Sequence, residues 1–236
     1  MNMMDSAVPG NRGVLFLGGA GLPSWMWDQT RANLPQPSAV AEYPQNAHAT
    51  LADYAEHVLG QVAFDHIVVV AHSAGGVVAS QLAALAPTRI VAVLGVAAAF
   101  PAPGQSLLRT LPFPQRAIVG LIMRVAGTKP PEKAIRAGLG TGLNEQDVTR
   151  LVSDFSAESP RLFRDAIHAR QWPAHRGYVT TSRDAEYSEA LQAKYGHQLD
   201  PDFKRTLATG HLPMLAEPVQ LAQIIQDFVT SLDLPR

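Results

Sequence analysis

The chain has 236 residues, of which 47% are hydrophobic and 17% charged, a composition typical of a compact globular protein. Its 19 basic and 20 acidic residues give a formal net charge of −1, so nothing favours nucleic acid as a partner. The absence of cysteine excludes disulfides, thiolate metal sites and a cysteine nucleophile.

The first nine residues lack the basic start and unbroken apolar run of a secretory signal, so we expect a cytoplasmic protein. The most apolar stretches, residues 67–70 and 90–99, are much shorter than the roughly 20 residues of a membrane-spanning helix. We therefore expect no membrane span and interpret these stretches as buried strands.

Strands and helices alternate in the first 100 residues. The apolar run 14–17 enters the glycine-rich segment 18–21, as a buried strand enters a sharp loop. A capping-box pattern at Thr50 predicts a helix over residues 50–61. The β-branched run 67–70 predicts a central parallel strand. A helix from just after Ser73 to about residue 86 and a strand over 89–98 complete this half.

The alternation stops at residue 101 and resumes at 174. The intervening segment contains scattered prolines and glycines around two or three predicted amphipathic helices. A strand at 178–181, a helix near 188–195, a strand near 203–208 and a helix near 219–232 follow. We predict an α/β fold with a mostly parallel, doubly wound sheet of about six strands. Residues 1–100 and 174–236 form its core, and residues 101–173 form a helical lid inserted after the strand that ends near Ala98.

Ser73 is the candidate nucleophile, because it lies between a β-branched strand and a helix in the hexapeptide AHSAGG, residues 71–76. Its small neighbours Ala71 and Gly75 suit a nucleophile elbow, whose strained backbone approaches adjacent strands closely. Ala71 stands where a glycine is usual. The alternative interpretation is that Ser73 only caps the following helix.

His211 is the candidate base, because it follows the last predicted strand and precedes the final helix. Asp184 follows the penultimate strand and is our choice for the acid that orients His211 and stabilises its charged form. Glu186, two residues further on, is the competitor. Asp184 could instead be a turn residue that caps the next helix.

Backbone N–H groups are the candidate oxyanion donors. One belongs to Ala74, after the nucleophile, and the other to Ala20, in the loop after the first strand. His72, before the nucleophile, is expected to be a packing residue, and the other six histidines lack a partner pattern. The glycine-rich loop lacks the lysine of a P-loop. We therefore predict no metal and no cofactor.

These residues resemble the α/β-hydrolase superfamily, in particular an esterase-type member of the branch that contains plant methylesterases and hydroxynitrile lyases. The resemblance runs through most of the chain. It is carried by LGGA at 17–20 with Trp25 and Trp27 after it, by the elbow, by residues 178–184 with Gln192, and by HLPMLAEP at 211–218. It implies ester hydrolysis through an acyl-enzyme.

Two positions separate the chain from the lyases of this branch, which carry a threonine in the oxyanion loop and a lysine after the histidine. This chain has Gly19 and Leu212 there. Without the lysine cation to stabilise departing cyanide, the resemblance favours hydrolysis. A further departure is Gly18, where the branch normally has the histidine of a His-Gly pair that shapes the oxyanion loop.

The substrate is predicted to be a small, largely apolar ester or lactone, in a pocket that includes Gly19, Trp25, Phe100 and Leu212. Apolar side chains of the lid would cover it: Leu107, Leu108, Leu111, Phe113, Ile118, Leu121, Ile122 and Met123. Alternatively these residues only pack the lid onto the core or contact a membrane surface. Rival functions are a carbon–carbon bond hydrolase, a lyase-like enzyme, a cofactorless peroxidase, or a ligand receptor on the same fold.

Overall fold

The computed structural model describes residues 11–232. The expectation drawn from residues 1–9 lies outside the described residues, as do the outer ends of the predicted core at 1–10 and 233–236. Six parallel strands form one sheet in the order β2-β1-β3-β4-β5-β6. They are β1 (Arg12–Leu17), β2 (Ser38–Val40), β3 (His66–His72), β4 (Ile90–Val96), β5 (His175–Thr181) and β6 (Phe203–Leu207). This confirms the predicted sheet.

Four of the six helices that cover the sheet match predicted helices, and the two short ones, at residues 28–32 and 213–216, have no predicted counterpart. The core helices are α1 (Asp28–Ala32), α2 (Leu51–Gly60), α3 (Gly75–Leu85), α9 (Glu189–Leu199), α10 (Pro213–Ala216) and α11 (Pro218–Ser231), and a 3₁₀ turn at Ser24–Trp27 precedes α1. The predicted capping box is present, because the Thr50 hydroxyl accepts from Asp53 N–H at 3.1 Å and the Asp53 carboxylate accepts from Thr50 N–H at 2.7 Å.

The sheet is buried on both faces, which explains why β3 has no polar alternation. Ile67 and Val69 pack with α2 and α3 on one face, and Val68 and Val70 pack with α11 on the other. All four side chains are fully buried. A strand covered on both faces is expected to be a continuous apolar run, and the carboxyl ends of β3, β5 and β6 then meet at one edge of the sheet.

Strand β2 is absent from the predicted elements. It has only three residues, all partly exposed, at the edge of the sheet, where it pairs with β1 alone. So short a segment has no hydrophobic period that distinguishes it from a loop. The sixth strand of the predicted sheet is therefore one that the sequence pattern did not locate.

The insertion at residues 101–173 contains five helices, so the expectation of two or three is wrong. They are α4 (Leu107–Thr110), α5 (Gln115–Ala126), α6 (Glu132–Ala137), α7 (Glu145–Asp154) and α8 (Pro160–Arg164). Three have four to six residues, too few for an amphipathic repeat to be recognised. Of the apolar residues assigned to a lid, Leu107 and Met123 are buried, whereas Phe113, Ile118, Leu121 and Ile122 are exposed. In residues 11–232 no helix combines the length and apolarity needed to cross a membrane.

Candidate active site

Ser73 lies at the tight turn between β3 and α3. Its φ of +51° lies in the left-handed region, which costs a non-glycine residue about 1–3 kcal/mol. The turn is held because Ser73 O accepts hydrogen bonds from Gly76 N–H at 3.1 Å and Ala99 N–H at 2.9 Å. A Cβ at Gly75 would lie 2.5 Å from the Leu17 carbonyl oxygen, which explains the small residue there. The strained turn places Ser73 at the end of the sheet, with its side chain partly exposed.

His211 and Asp184 form a buried pair beside this turn. Asp184 lies in the turn after β5, His211 lies in the loop after β6, and His211 Nδ1 is 2.7 Å from Asp184 Oδ2. Each side chain is only 1% exposed. Asp184 Oδ1 accepts from the N–H groups of Glu186 and Tyr187 at 2.8 and 2.9 Å. The carboxylate is therefore fixed by the backbone and directs one oxygen at the imidazole.

The surroundings of Asp184 favour its ionised form. Burial alone would raise its pKa, but the hydrogen bond and charge of His211, the N–H of Tyr187 and the hydroxyl of Thr181 outweigh burial, so the pKa is lowered. The Thr181 hydroxyl donates to Asp184 Oδ2 at 2.8 Å, and Thr181 N–H is bound by Gln192 Oε1 at 3.0 Å. The contact with Asp184 gives His211 a partner that can stabilise its protonated form.

His72, which sequence reasoning took as a packing residue, lies under His211. Its ring centroid is 4.7 Å from that of His211, and its Nε2 is 2.8 Å from the His211 carbonyl oxygen. The His72 ring is fully buried and its Nδ1 has no partner among the described residues. Burial lowers the pKa of His72 to about 3, with the nearby His211 as a second cause. A neutral His72 that donates from Nε2 thus fixes the backbone of His211.

Tyr187 is a site residue that sequence reasoning missed. Its ring lies edge-on to His211 with centroids 5.0 Å apart, and its hydroxyl lies near the side chain of Ser73. Burial raises the pKa of Tyr187, so the hydroxyl stays protonated. Tyr187 therefore links the nucleophile candidate to the His211–Asp184 pair. The sequence feature that could have identified Tyr187 is its position three residues after Asp184.

Of the two predicted oxyanion donors, Ala74 follows Ser73 in the chain and Ala20 belongs to the loop that approaches Ser73. A Cβ at Gly19 would be 2.9 Å from Ser73 Cβ, so the loop that carries Ala20 passes directly over the nucleophile candidate. In the described part of the chain, the N–H groups of Ala20 and Ala74 donate no hydrogen bond. Two free backbone donors next to a serine can stabilise an oxyanion.

The other three predicted pocket residues have partners on α7, at the end of the insertion and in the core. Trp25 donates from Nε1 to Asp154 on α7 at 2.9 Å, and the Arg150 guanidinium lies 3.9 Å from its ring centroid. Phe100 is fully buried against Trp172 and Tyr178. Leu212, 1% exposed, packs in the apolar core on the α11 side of the sheet. Among the four predicted pocket residues, Gly19 lies next to Ser73, because a Cβ at position 19 would be 2.9 Å from Ser73 Cβ.

Residues 11–232 contain no group of three or more His, Asp or Glu side chains that could hold a metal ion. What the site offers is a serine hydroxyl, an imidazole paired with a carboxylate, and free backbone donors. These groups can move a proton and stabilise a negative oxygen.

Comparison with known proteins finds a matching family and similar solved structures. The model described as "Alpha/beta hydrolase family" matches residues 14–224. An extracellular α/β-hydrolase of a Paenibacillus species has a TM-score of 0.81 and 15% identity, covering 91% of this chain and 98% of its own. A methylesterase from Arabidopsis has a TM-score of 0.70 and 16% identity, covering 93% and 99%. A pyrethroid hydrolase from Sphingobium faniae has a TM-score of 0.71 and 17% identity, covering 93% and 98%. The curated proteins contain no match.

Proposed function

Because the chain belongs to the α/β-hydrolase family, we propose that it is a serine hydrolase that cleaves a small, largely apolar carboxylic ester or lactone through an acyl-enzyme. The observation that carries the proposal is the buried 2.7 Å contact between His211 Nδ1 and Asp184 Oδ2, which lies beside a strained Ser73. No metal or cofactor has a part in this mechanism.

The reaction begins with proton transfer. His211 Nδ1 is occupied by Asp184, so Nε2 takes the proton of Ser73 as Oγ attacks the ester carbonyl carbon. The carbonyl electron pair moves to the oxygen, which the N–H groups of Ala20 and Ala74 stabilise. When this pair reforms the carbonyl, the alkoxide leaves with the proton from His211. Water then repeats the two steps on the acyl-enzyme and releases the acid.

Ester chemistry is favoured over cyanohydrin cleavage by two residues at the site. A Cβ at position 19 would lie 2.8 Å from Leu22 Cδ1 and 2.9 Å from Ser73 Cβ, so a threonine there would clash. Leu212 supplies no cation after the histidine. Similar structures named as a methylesterase and a pyrethroid hydrolase support the same class. The insertion at 101–173 acts as the lid that gives the site its preference for apolar substrates.

The experiment compares wild type with Ser73→Ala on p-nitrophenyl acetate, butyrate and octanoate and on a panel of lactones. We expect Ser73→Ala to lose nearly all turnover, because the nucleophile is gone. Ser182→Ala is the matched control, since Ser182 lies on the surface near the end of β5. A Ser73→Ala protein that turns over at the wild-type rate would refute the assignment.

A second measurement separates an enzyme from a ligand receptor. A fluorophosphonate probe followed by intact mass and peptide mapping should label Ser73 alone, and the label should be absent from Ser73→Ala. Multiple turnovers with free acid released support the hydrolase. A single turnover accompanied by a ligand-induced rise in melting temperature would instead support the receptor.

A further inference from the structure

We propose that Glu158, a carboxylate on the insertion, is a positioning residue that holds the oxyanion loop, residues 18–22, in its reactive conformation. The inference rests on the proposed function, because it assigns a role within the same reaction. It names a residue that is distant in sequence from every motif of the site and that does not contact the reacting atoms.

The oxyanion loop contains a tight turn whose central peptide can adopt two orientations. Leu22 N–H donates to the Gly19 carbonyl at 3.2 Å, which closes a four-residue turn around Ala20 and Gly21. Gly21 has a φ of +73°. A positive φ at the third position is the mark of a type II turn, which differs from type I by a flip of the peptide between the second and third residues. The Ala20–Gly21 peptide is therefore the part of the loop that needs an external restraint.

The insertion binds both polar backbone groups of Gly21. Gly21 N–H donates to Glu158 Oε1 at 3.1 Å, and Ser156 N–H donates to the Gly21 carbonyl at 3.0 Å. The contact is close, since a Cβ at Gly21 would lie 2.4 Å from both the Phe155 ring and the Ser156 carbonyl oxygen. Residues 155–158 of the insertion, and not β1, therefore supply the hydrogen bonds and packing that hold this part of the loop.

Glu158 is itself held from two sides, so it can act as a fixed support. The Tyr54 hydroxyl on α2 donates to Glu158 Oε2 at 2.5 Å and accepts from Ser159 N–H at 3.1 Å. The backbone of Glu158 is fixed by Thr128, whose hydroxyl accepts from Glu158 N–H at 2.9 Å and donates to its carbonyl at 2.6 Å. The carboxylate consequently joins α2, the insertion and the oxyanion loop.

The cost of burying this carboxylate indicates a specific role. Burial raises the pKa of Glu158, while the hydrogen bonds from Tyr54 and Gly21 act in the opposite direction. Within residues 11–232 no salt bridge involves Glu158, so its hydrogen bonds are what offset the loss of water. A partly buried carboxylate without a cation partner needs hydrogen-bond donors, and Tyr54 and Gly21 supply them.

The position of the carboxylate selects one orientation of the central peptide. With Gly21 N–H directed at Glu158, a flip of the peptide would turn the Ala20 carbonyl oxygen toward a carboxylate, so that two acceptors would face each other. The flip would also change ψ of Ala20, the residue whose N–H is the proposed oxyanion donor. On the other side, the Tyr43 hydroxyl donates to the Gly18 carbonyl at 2.8 Å. Residues outside the loop therefore hold it in place, since Gly18 has no side chain that could do so.

The test compares Glu158→Leu with Glu158→Gln in the full-length protein. Leucine removes the acceptor for Gly21 N–H, whereas the glutamine amide oxygen retains it. We expect Glu158→Leu to lower kcat about 10- to 100-fold with KM within threefold of wild type, because a misplaced oxyanion donor weakens transition-state binding only. Glu158→Gln should recover most of the kcat. The matched control is Glu145→Leu, an exposed carboxylate on α7, which should leave kcat unchanged.

A transition-state mimic gives the readout that a merely structural role would not move. Affinity for a trifluoromethyl ketone, which forms an oxyanion adduct with the serine, should fall in Glu158→Leu by the same factor as kcat/KM. Affinity for the product carboxylic acid should stay within threefold of wild type. Equal losses for both ligands, or an unchanged kcat in a folded Glu158→Leu protein, would overturn the inference.

Two further arms keep the result interpretable. If Glu158→Leu does not fold, Tyr54→Phe decides, because it removes the hydroxyl that donates to Glu158 and leaves the acceptor for Gly21 N–H in place. A kcat lowered about 3- to 10-fold at constant KM supports the inference, and an unchanged kcat overturns it. Fluorophosphonate labelling of wild-type Ser73 separates the two levels of proposal. Absence of labelling refutes the hydrolase itself, whereas normal labelling with no effect of Glu158→Leu refutes only the role of Glu158.

Discussion

Asp184→Asn is the substitution that tests the buried pair most directly. The carboxylate accepts on Oδ1 from two backbone N–H groups, and on Oδ2 from the Thr181 hydroxyl and His211. In Asp184→Asn the amide oxygen takes the backbone side, because only an oxygen can accept there. The amide NH2 then faces His211 Nδ1 and the Thr181 hydroxyl. His211 must accept at Nδ1, so its proton moves to Nε2.

A proton on Nε2 blocks that nitrogen from accepting the proton of Ser73. The expected loss of kcat is about 10⁴-fold, the size of effect seen when a serine hydrolase holds its histidine in the wrong tautomer. This corresponds to about 5 kcal/mol in the activation free energy. KM should change little, because Asp184 is buried behind the histidine and does not contact the substrate.

The assay is initial-rate hydrolysis of p-nitrophenyl butyrate at pH 8, with circular dichroism and melting temperature as controls for folding. Glu186→Gln is the matched variant, since Glu186 is the other acid in the same turn and makes no hydrogen bond to His211 among those of the described residues. Glu186→Gln should retain kcat within threefold. A folded Asp184→Asn protein within tenfold of wild type, or a larger loss in Glu186→Gln, would refute the assignment of the acid.

Two other substitutions test stability. The pKa of buried His72 is lowered to about 3 from 6.5, so the folded state excludes a proton that the unfolded state binds. The contribution of this group to the free energy of unfolding is therefore complete above pH 6.5 and is lost as the pH falls toward 3. His72→Gln should reduce the slope of urea-unfolding free energy between pH 6.5 and 4.5 by up to about 1.4 kcal/mol per pH unit; an unchanged slope would contradict the burial argument. Gly75→Ala should lower the melting temperature by several degrees, as its Cβ would lie 2.5 and 2.7 Å from the backbone oxygens of Leu17 and Gly18. Gly60→Ala, which meets no atom within 4 Å, is its control and should be neutral or stabilising.

The elements that could be predicted from sequence are those whose constraint is local. Strand β3 is recognisable because its residues are buried on both faces and must all be apolar. The elbow is recognisable because backbone atoms exclude a Cβ at Gly75 and at Gly76, so the small residues are a steric necessity. Asp184 and His211 could be chosen because each follows a predicted strand on the same edge of the sheet, which brings residues 27 positions apart together.

The parts that could not be predicted depend on contacts between distant segments. Glu158 meets Gly21 across 137 residues and Tyr54 across 104, and no local pattern marks a carboxylate as the partner of either. The same holds for Tyr187, which reaches Ser73 only after β5 has been placed in the sheet.

Phe100 shows how a position at the edge of the sheet leaves the surroundings of a side chain open. It is one of the predicted pocket residues, and it follows β4 at the carboxyl edge of the sheet, where ligands bind in such folds. However, Ala97 adopts a φ of +43° at the end of β4, and the chain beyond it brings the Phe100 ring to within 5.4 Å of Trp172, at the end of the insertion. An edge position is set by strand order, which sequence periodicity indicates, whereas the direction of a side chain there is set by one backbone turn and one distant partner. The boundary of the substrate pocket therefore depends on how residues 101–173 pack, and the substrate panel and the Glu158 variants examine that same segment.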